Sequence, residues 1–193
     1  GKWATHDAKY RGNWSPYIPR NIILRYSSES DTVLDQFVGG GTTAVEAKLT
    51  GRNFIGIDIN PAAVELTKNK LNFEYDTKAD ISVSVGDARK LDIPDGSIDL
   101  ICTHPPYADI INYSDGIEGD LSLLSIKPFL AEMGKVAEEC FRVLKKDKFC
   151  AILMGDTRKK GMVQPLAFET MRLFDLDGCT LKEIMLTDKQ KSQ

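Results

Sequence analysis

Apolar residues recur along this chain in short runs that alternate with amphipathic stretches. Residues 32–37 form the first such run, and 54–58, 81–85 and 98–102 repeat it. Runs of this length bounded by turn residues read as buried strands. Between them, 42–50 and 60–71 carry apolar positions at helical spacing. Ala44, Val45 and Leu49 are set to face inward, and Asn60-Pro61 offers a cap followed by proline at the first helical position. Further on, 126–144 predicts a long amphipathic helix, 149–154 a fifth strand, 165–175 a helix and 181–186 a sixth strand. Strands alternating with helices predict an α/β fold: a mostly parallel sheet with helices on both faces. Such a sheet binds ligands beyond the carboxyl ends of its strands. Chemistry should therefore gather in the loops after Leu34, Ile57, Val85, Cys102 and Met154.

The first of these loops reads Asp35-Gln36-Phe37-Val38-Gly39-Gly40-Gly41-Thr42-Thr43. Its glycines let backbone approach a ligand closely, and the helix that follows offers free N–H groups to a carboxylate. A Gly-rich turn alone is weak support. Asp58, 23 positions after Asp35, strengthens it, because a carboxylate at the end of the second strand can accept ribose hydroxyls. The loop has no Gly-x-Gly-x-x-Gly and no Gly-Lys-Ser/Thr, which leaves a nucleoside ligand without a pyrophosphate. Asp87, followed by Ala88, ends the third strand and can accept from a base amino group or cap its own loop. After the fourth strand comes Thr103-His104-Pro105-Pro106-Tyr107. Two prolines stiffen that loop and free a neighbouring carbonyl to accept from an incoming amine, while Tyr107 presents a flat face to a base.

Composition narrows the setting. The chain has 193 residues, 42% of them hydrophobic and 27% charged, which suits one globular domain with a real core. No apolar run is long enough to cross a bilayer, and the first residues lack a signal-peptide core. The chain opens on Gly1 rather than Met, which suggests a trimmed tag or a piece of a longer protein. Four cysteines without a Cys-x-x-Cys pair, and only two histidines, argue against zinc or a disulfide framework. A reducing, cytoplasmic setting follows. The net charge of -3 opposes a grip on nucleic acid through bulk positive charge. A local basic face stays open, and Arg158, Lys159 and Lys160, the densest cluster near the catalytic side, are expected to meet phosphate.

Taken together, Asp-x-Phe-x-Gly-x-Gly-Thr-Thr, Gly-Ile-Asp-x-Asn-Pro, Gly-Asp-Ala and x-Pro-Pro-Tyr resemble the amino-methylating DNA methyltransferases. The resemblance leans to the cytosine-N4 branch and covers most of the chain. It implies a Rossmann-like methyltransferase fold, here expected to lack the final antiparallel strand, and S-adenosylmethionine as cofactor. By resemblance, Asp35, Phe37, Gly39, Gly41, Thr42 and Thr43 line the methionine side; Asp58 and Ile59 hold the ribose, and Asp87 and Ala88 the adenine. Trp14 and Pro16 belong to a segment laid over the cofactor, while His104, Pro105, Pro106 and Tyr107 hold the target base. The methyl group would pass directly to the amine, without an enzyme nucleophile.

The motifs also depart from the family's pattern. Gln36 stands for Pro, Gly40 for Ser or Ala, and His104 for Ser, Asp or Asn, so the target base stays open between cytosine N4 and adenine N6. The expected organisation is one catalytic domain: a covering segment (1–29), a cofactor half (30–95) and a catalytic half (96–193), with no separate target-recognition domain. DNA is the expected partner, with a second subunit or dimer for target recognition and no membrane. An RNA-base methyltransferase and a non-catalytic scaffold subunit are the competing readings. The acidic stretch 108–127, with Asn112, Tyr113, Asp115, Glu118 and Asp120, reads equally as a lid or as a base-reading loop.

Overall fold

The computed structural model describes residues 3–6, 10, 12–159 and 161–187. Five parallel strands form the main sheet: β1 (Thr32–Asp35), β2 (Asn53–Asp58), β3 (Ile81–Val85), β4 (Ile98–Thr103) and β5 (Leu144–Ile152). Their spatial order is β3-β2-β1-β4-β5. The chain thus winds outward one way from β1, then returns to lay β4 on its other side. That reversal opens a crevice at the carboxyl ends of β1 and β4, where doubly wound sheets bind ligands.

Neighbouring residues on each central strand enter different cores. Val33 and Leu100 pack with Phe54, Ala44, Ile22 and Ile23 in one core. Leu34 and Ile101 pack with Phe129, Met133, Val136 and Val143 in the other. Both faces of the sheet are therefore covered. The first core is roofed by α1 (Tyr17–Tyr26) and α2 (Thr42–Leu49), the second by α4 (Ile126–Val143) and α5 (Leu166–Leu173). Between β2 and β3 runs α3 (Pro61–Leu71), whose Asn60 cap accepts from the Ala62 N–H as the sequence predicts. Among the described residues no helix is long and apolar enough to cross a membrane.

Three differences from the sequence reading have physical causes. Helix α1 is unexpected because Pro16 and Pro19 look like breakers; both lie in or before the first turn, where no intrahelical N–H is needed. Strand β5 starts earlier than expected, because Leu144 pairs with Ile98 and Phe149 with Leu100, leaving 145–148 as a bulge with Asp147 at positive φ. Lys145 and Lys148 of that bulge reach Asp99 at 2.9 and 3.5 Å. The expected sixth strand is absent: 181–187 is irregular, with Leu181, Ile184 and Leu186 exposed. Apolar residues mark a strand only where a ladder receives them, and this segment meets its neighbours through side chains. Lys182 lies over the Phe149 ring and Glu183 pairs with Arg25. A short hairpin, β6 (Thr157–Lys159) with β7 (Met162–Gln164), is a further addition to the expected elements.

The segment before α1 is tied to α2 through one buried carboxylate. Glu46 accepts from Trp3 Nε1 at 2.7 Å and Arg20 Nη1 at 2.9 Å, and bonds His6 Nε2 at 2.6 Å. Burial pushes its carboxyl up, but these bonds outweigh that and hold it below the usual glutamate range.

Candidate active site

A cavity of about 740 Å³, its open mouth included, lies at the carboxyl ends of β1, β2 and β4. Loops from separate parts of the chain build it. Phe37, Gly39 and Thr42 come from the Gly-rich loop, Asp58 and Ile59 from the end of β2, and Asp87 and Ala88 from the end of β3. His104 and Pro106 come from the loop after β4, and Trp14 from the covering segment. The sequence reading placed all of these at the site.

Glycine is required in the cofactor loop for a specific reason. Gly39 and Gly41 have φ of 47° and 77°, a region costly for any residue with a Cβ. A Cβ on Gly41 would sit 2.8 Å from Thr67 Oγ1, and one on Gly40 would strike the Asn13 side-chain oxygen. The departure at Gly40 thus lets the covering segment settle directly onto the loop.

The acidic residues of the cavity differ in how their oxygens are engaged. Asp35 is almost wholly buried: it accepts the hydroxyls of Thr43 and Thr103 at 2.6 and 2.7 Å and the Phe37 N–H at 3.1 Å. Burial pushes its carboxyl up to about 6 against those bonds. Its role is to tie the Gly-rich loop to β4 beneath the cavity. Asp58 accepts one backbone N–H on each oxygen, from Gly39 and Asn60, both at 2.9 Å; burial raises its carboxyl too. Burial also opposes ionisation of Asp87, but Arg89 more than compensates and holds it low, with contacts of 2.6–3.1 Å.

The Pro-Pro-Tyr loop holds an aromatic cluster. His104 Nε2 and the Tyr107 hydroxyl are 2.9 Å apart, and the Trp14 ring lies 5.4 Å from the His104 ring at a 31° tilt. Tyr107 packs toward Gly155, where an added Cβ would come within 3.1 Å of its ring. Burial pushes its phenol up to about 12. Tyr107 therefore stands behind His104, outside the cavity lining.

Other expected residues lie off the cavity. Gly41, Thr43 and Pro105 are buried outside its lining, and Pro16 is the N-cap residue of α1. Arg158 and Lys159 belong to β6, which follows the carboxyl end of β5; Arg158 is outside the cavity lining, and Lys160 lies outside the described residues. The sequence reading missed Tyr10, Asn13, Gly119 and Leu121, and named Tyr113 and Asp120 only as part of a lid or base-reading loop; Tyr113, Gly119, Asp120 and Leu121 form one wall of the cavity. That wall belongs to the acidic stretch 108–127. Only its density of Gly, Asp and Tyr hinted at a site, and no motif marks it.

Residues and geometry fit S-adenosylmethionine. Among the described residues lining the cavity there are four aspartates and no Lys or Arg, which suits a cation with ribose hydroxyls better than a pyrophosphate. The fold and this loop set are those of the Rossmann-like, S-adenosylmethionine-dependent methyltransferase fold. A solved S-adenosylmethionine-dependent methyltransferase from Methanosarcina mazei superposes with a TM-score of 0.52 at 26% identity, over 68% of this chain and 55% of that one.

Residues 2–69 match the DNA methylase family model for N6- and N4-amino methylation. A type II methyltransferase of Lactococcus lactis subsp. cremoris, M2.LlaDCHI, is 45% identical over 37% of this chain and 25% of its own. A tRNA (guanine(10)-N2)-dimethyltransferase of Pyrococcus abyssi is 42% identical over 48% of this chain and 28% of its own. Over these segments the chain is similar to amino-methylating methyltransferases. It spans about a quarter of the length of the curated relatives it matches first.

Proposed function

We propose that this protein transfers a methyl group from S-adenosylmethionine to the exocyclic amino group of a DNA base, with cytosine N4 as the favoured target. One observation carries the reading: a single cavity is lined both by the Gly-rich loop with Asp58 and by His104 and Pro106 of the Pro-Pro-Tyr loop. A donor held by the first therefore meets an amine held by the second. S-adenosylmethionine supplies an electrophilic methyl on a sulfonium. The chain supplies alignment. Asp58 accepts from the ribose, and the loop carbonyls beside Pro105 and Pro106 accept from the amine and raise its electron density. The amine nitrogen would take the methyl of the bound cofactor, leaving S-adenosylhomocysteine, and release one proton to water. Trp14 and the His104–Tyr107 pair close the base side. Arg158, Lys159 and Lys160 would meet the DNA backbone, and a second subunit would supply target recognition.

The test is mass spectrometry of nucleosides from DNA incubated with protein and cofactor. N4-methylcytosine is expected; N6-methyladenine would keep the reaction class and change the base. If DNA gains neither, the reading fails. Asp58→Ala should weaken S-adenosylmethionine by roughly tenfold or more, the loss of a charge-assisted hydrogen bond. An RNA amino group is the second reading, favoured by the longer stretch of this chain that matches the tRNA enzyme. The same assay run on tRNA decides it.

A further inference from the structure

One wall of the cavity comes from no strand-end motif. After Tyr107 the chain folds back across the site, pinned where Asn60 Nδ2 donates to the Tyr113 carbonyl at 2.9 Å. The Tyr113 ring stacks on Tyr10, with centroids 6.0 Å apart and planes within 19°. Gly119, at φ 89°, approaches so closely that an added Cβ would lie 2.9 Å from Ile59 Cδ1 and 2.5 Å from Arg89 Nη2. That approach brings Asp120 into the lining beside Ile59 and Asp58.

Asp120 is 7% exposed. Its Oδ1 accepts the Ser122 N–H at 2.8 Å and its Oδ2 the Ser114 hydroxyl at 2.6 Å. A carboxylate offers about four acceptor positions, so each oxygen keeps capacity for a ligand. Asp58 is in the same condition, with one backbone N–H on each oxygen. Burial chiefly, with a smaller contribution from the charge of Asp120, raises the Asp58 carboxyl against its two backbone bonds. Among the described residues the cavity lining holds no Lys or Arg, so further donors to the spare lone pairs of Asp58 and Asp120 would come from a ligand. A ribose brings two adjacent hydroxyls.

We propose that Asp120 is a second cofactor-binding carboxylate, accepting one ribose hydroxyl of S-adenosylmethionine while Asp58 accepts the other. The proposal rests on reading the cavity as the cofactor site. It also gives the 108–127 stretch a role that is neither lid alone nor base readout. The segment that follows the Pro-Pro-Tyr loop is fastened by the cofactor itself, so cofactor binding also fixes the loop that holds the base.

Calorimetry with S-adenosylhomocysteine on the whole chain tests this without DNA or turnover. Asp120→Asn suits the test, because its amide oxygen can still accept from Ser122 N–H and its NH₂ can donate to Ser114. An unchanged melting temperature confirms that the segment is intact. Asp120→Asn should raise Kd roughly tenfold, comparable to Asp58→Ala. The penalty should vanish against either the 2′-deoxy or the 3′-deoxy analogue, whichever lacks the hydroxyl that Asp120 accepts. If Asp120→Asn binds like wild type while Asp58→Ala is weakened, the proposal is overturned and the cavity reading stands. A penalty that persists against both deoxy analogues also overturns it. If neither variant alters affinity, the cofactor reading of the cavity falls first.

Discussion

Asp35 shows how a residue in a ligand motif can work on the fold instead. Its oxygens are taken by Thr43, Thr103 and Phe37, and burial lifts its carboxyl to about 6 from an ordinary 3.8. The folded state therefore holds the proton to higher pH than the unfolded chain. Stability falls as pH rises from about 4 past 6, and above that the cost is full, on the order of 3 kcal/mol. Asp35→Asn should remove that cost, since its amide can serve the same hydroxyls. Urea unfolding at pH 8 should show the variant more stable than wild type, with the gap closing near pH 4. A gap independent of pH would reject a buried carboxylate as its source. Tyr107 makes the complementary point. Its ring fills space beside Gly155 and its hydroxyl steadies His104. Tyr107→Phe should keep most methyl transfer, while Tyr107→Ala, which opens a cavity worth about 3 kcal/mol, should lose nearly all. If Phe proves as damaging as Ala, methyl transfer depends on the hydroxyl bond to His104 and not on the ring.

At the scale of elements, the question is how a segment with little core of its own is kept over the site. Glu46 on α2 gathers Trp3, His6 and Arg20 onto one buried carboxylate. Its carboxyl is held low, so its contribution is present above the ordinary glutamate range. That contribution is lost as pH falls through the depressed folded value. Glu46→Ala strands three donors and should cost about 3 kcal/mol. A drop in the urea midpoint, with faster proteolytic cleavage before α1, is the expected result. An unaltered midpoint would mean that the covering segment is held by Trp14, Ile22 and Ile23 alone. The bulge at 145–148 in β5 is a second case of local sequence yielding to neighbours, with Lys145 and Lys148 both pairing with Asp99.

For the whole molecule, charge distribution matters more than total charge. On the proposed reading, a protein of net charge -3 would meet DNA through a local basic face. The hairpin of β6 and β7, with Arg158 and Lys159, follows the carboxyl end of β5, on the side where the cavity opens. Replacing Arg158, Lys159 and Lys160 with Ala should flatten the dependence of log K on log salt by about 0.9 for each phosphate that is no longer neutralised. Binding titrations from low to moderate salt read this directly, and an unchanged slope would leave these residues as surface charge.

The main sheet and the placement of its loops follow from local sequence. Apolar runs, the Asn60-Pro61 cap and the glycines at 39–41 act over a few residues, so their consequences can be read within a short window. With five strands in place, parallel winding puts Asp35, Asp58, Asp87 and His104 at one edge of the sheet. How each of them is used depends on the folded chain. Asp35 became an internal tie because Thr103, 68 positions away, donates to it. The stretch 108–127 became a cavity wall because Asn60, 53 positions from Tyr113, pins it. Residues 181–187 stayed irregular because no described strand edge receives them. Each outcome depends on partners far apart in the chain, and periodicity within a short window carries no information about them.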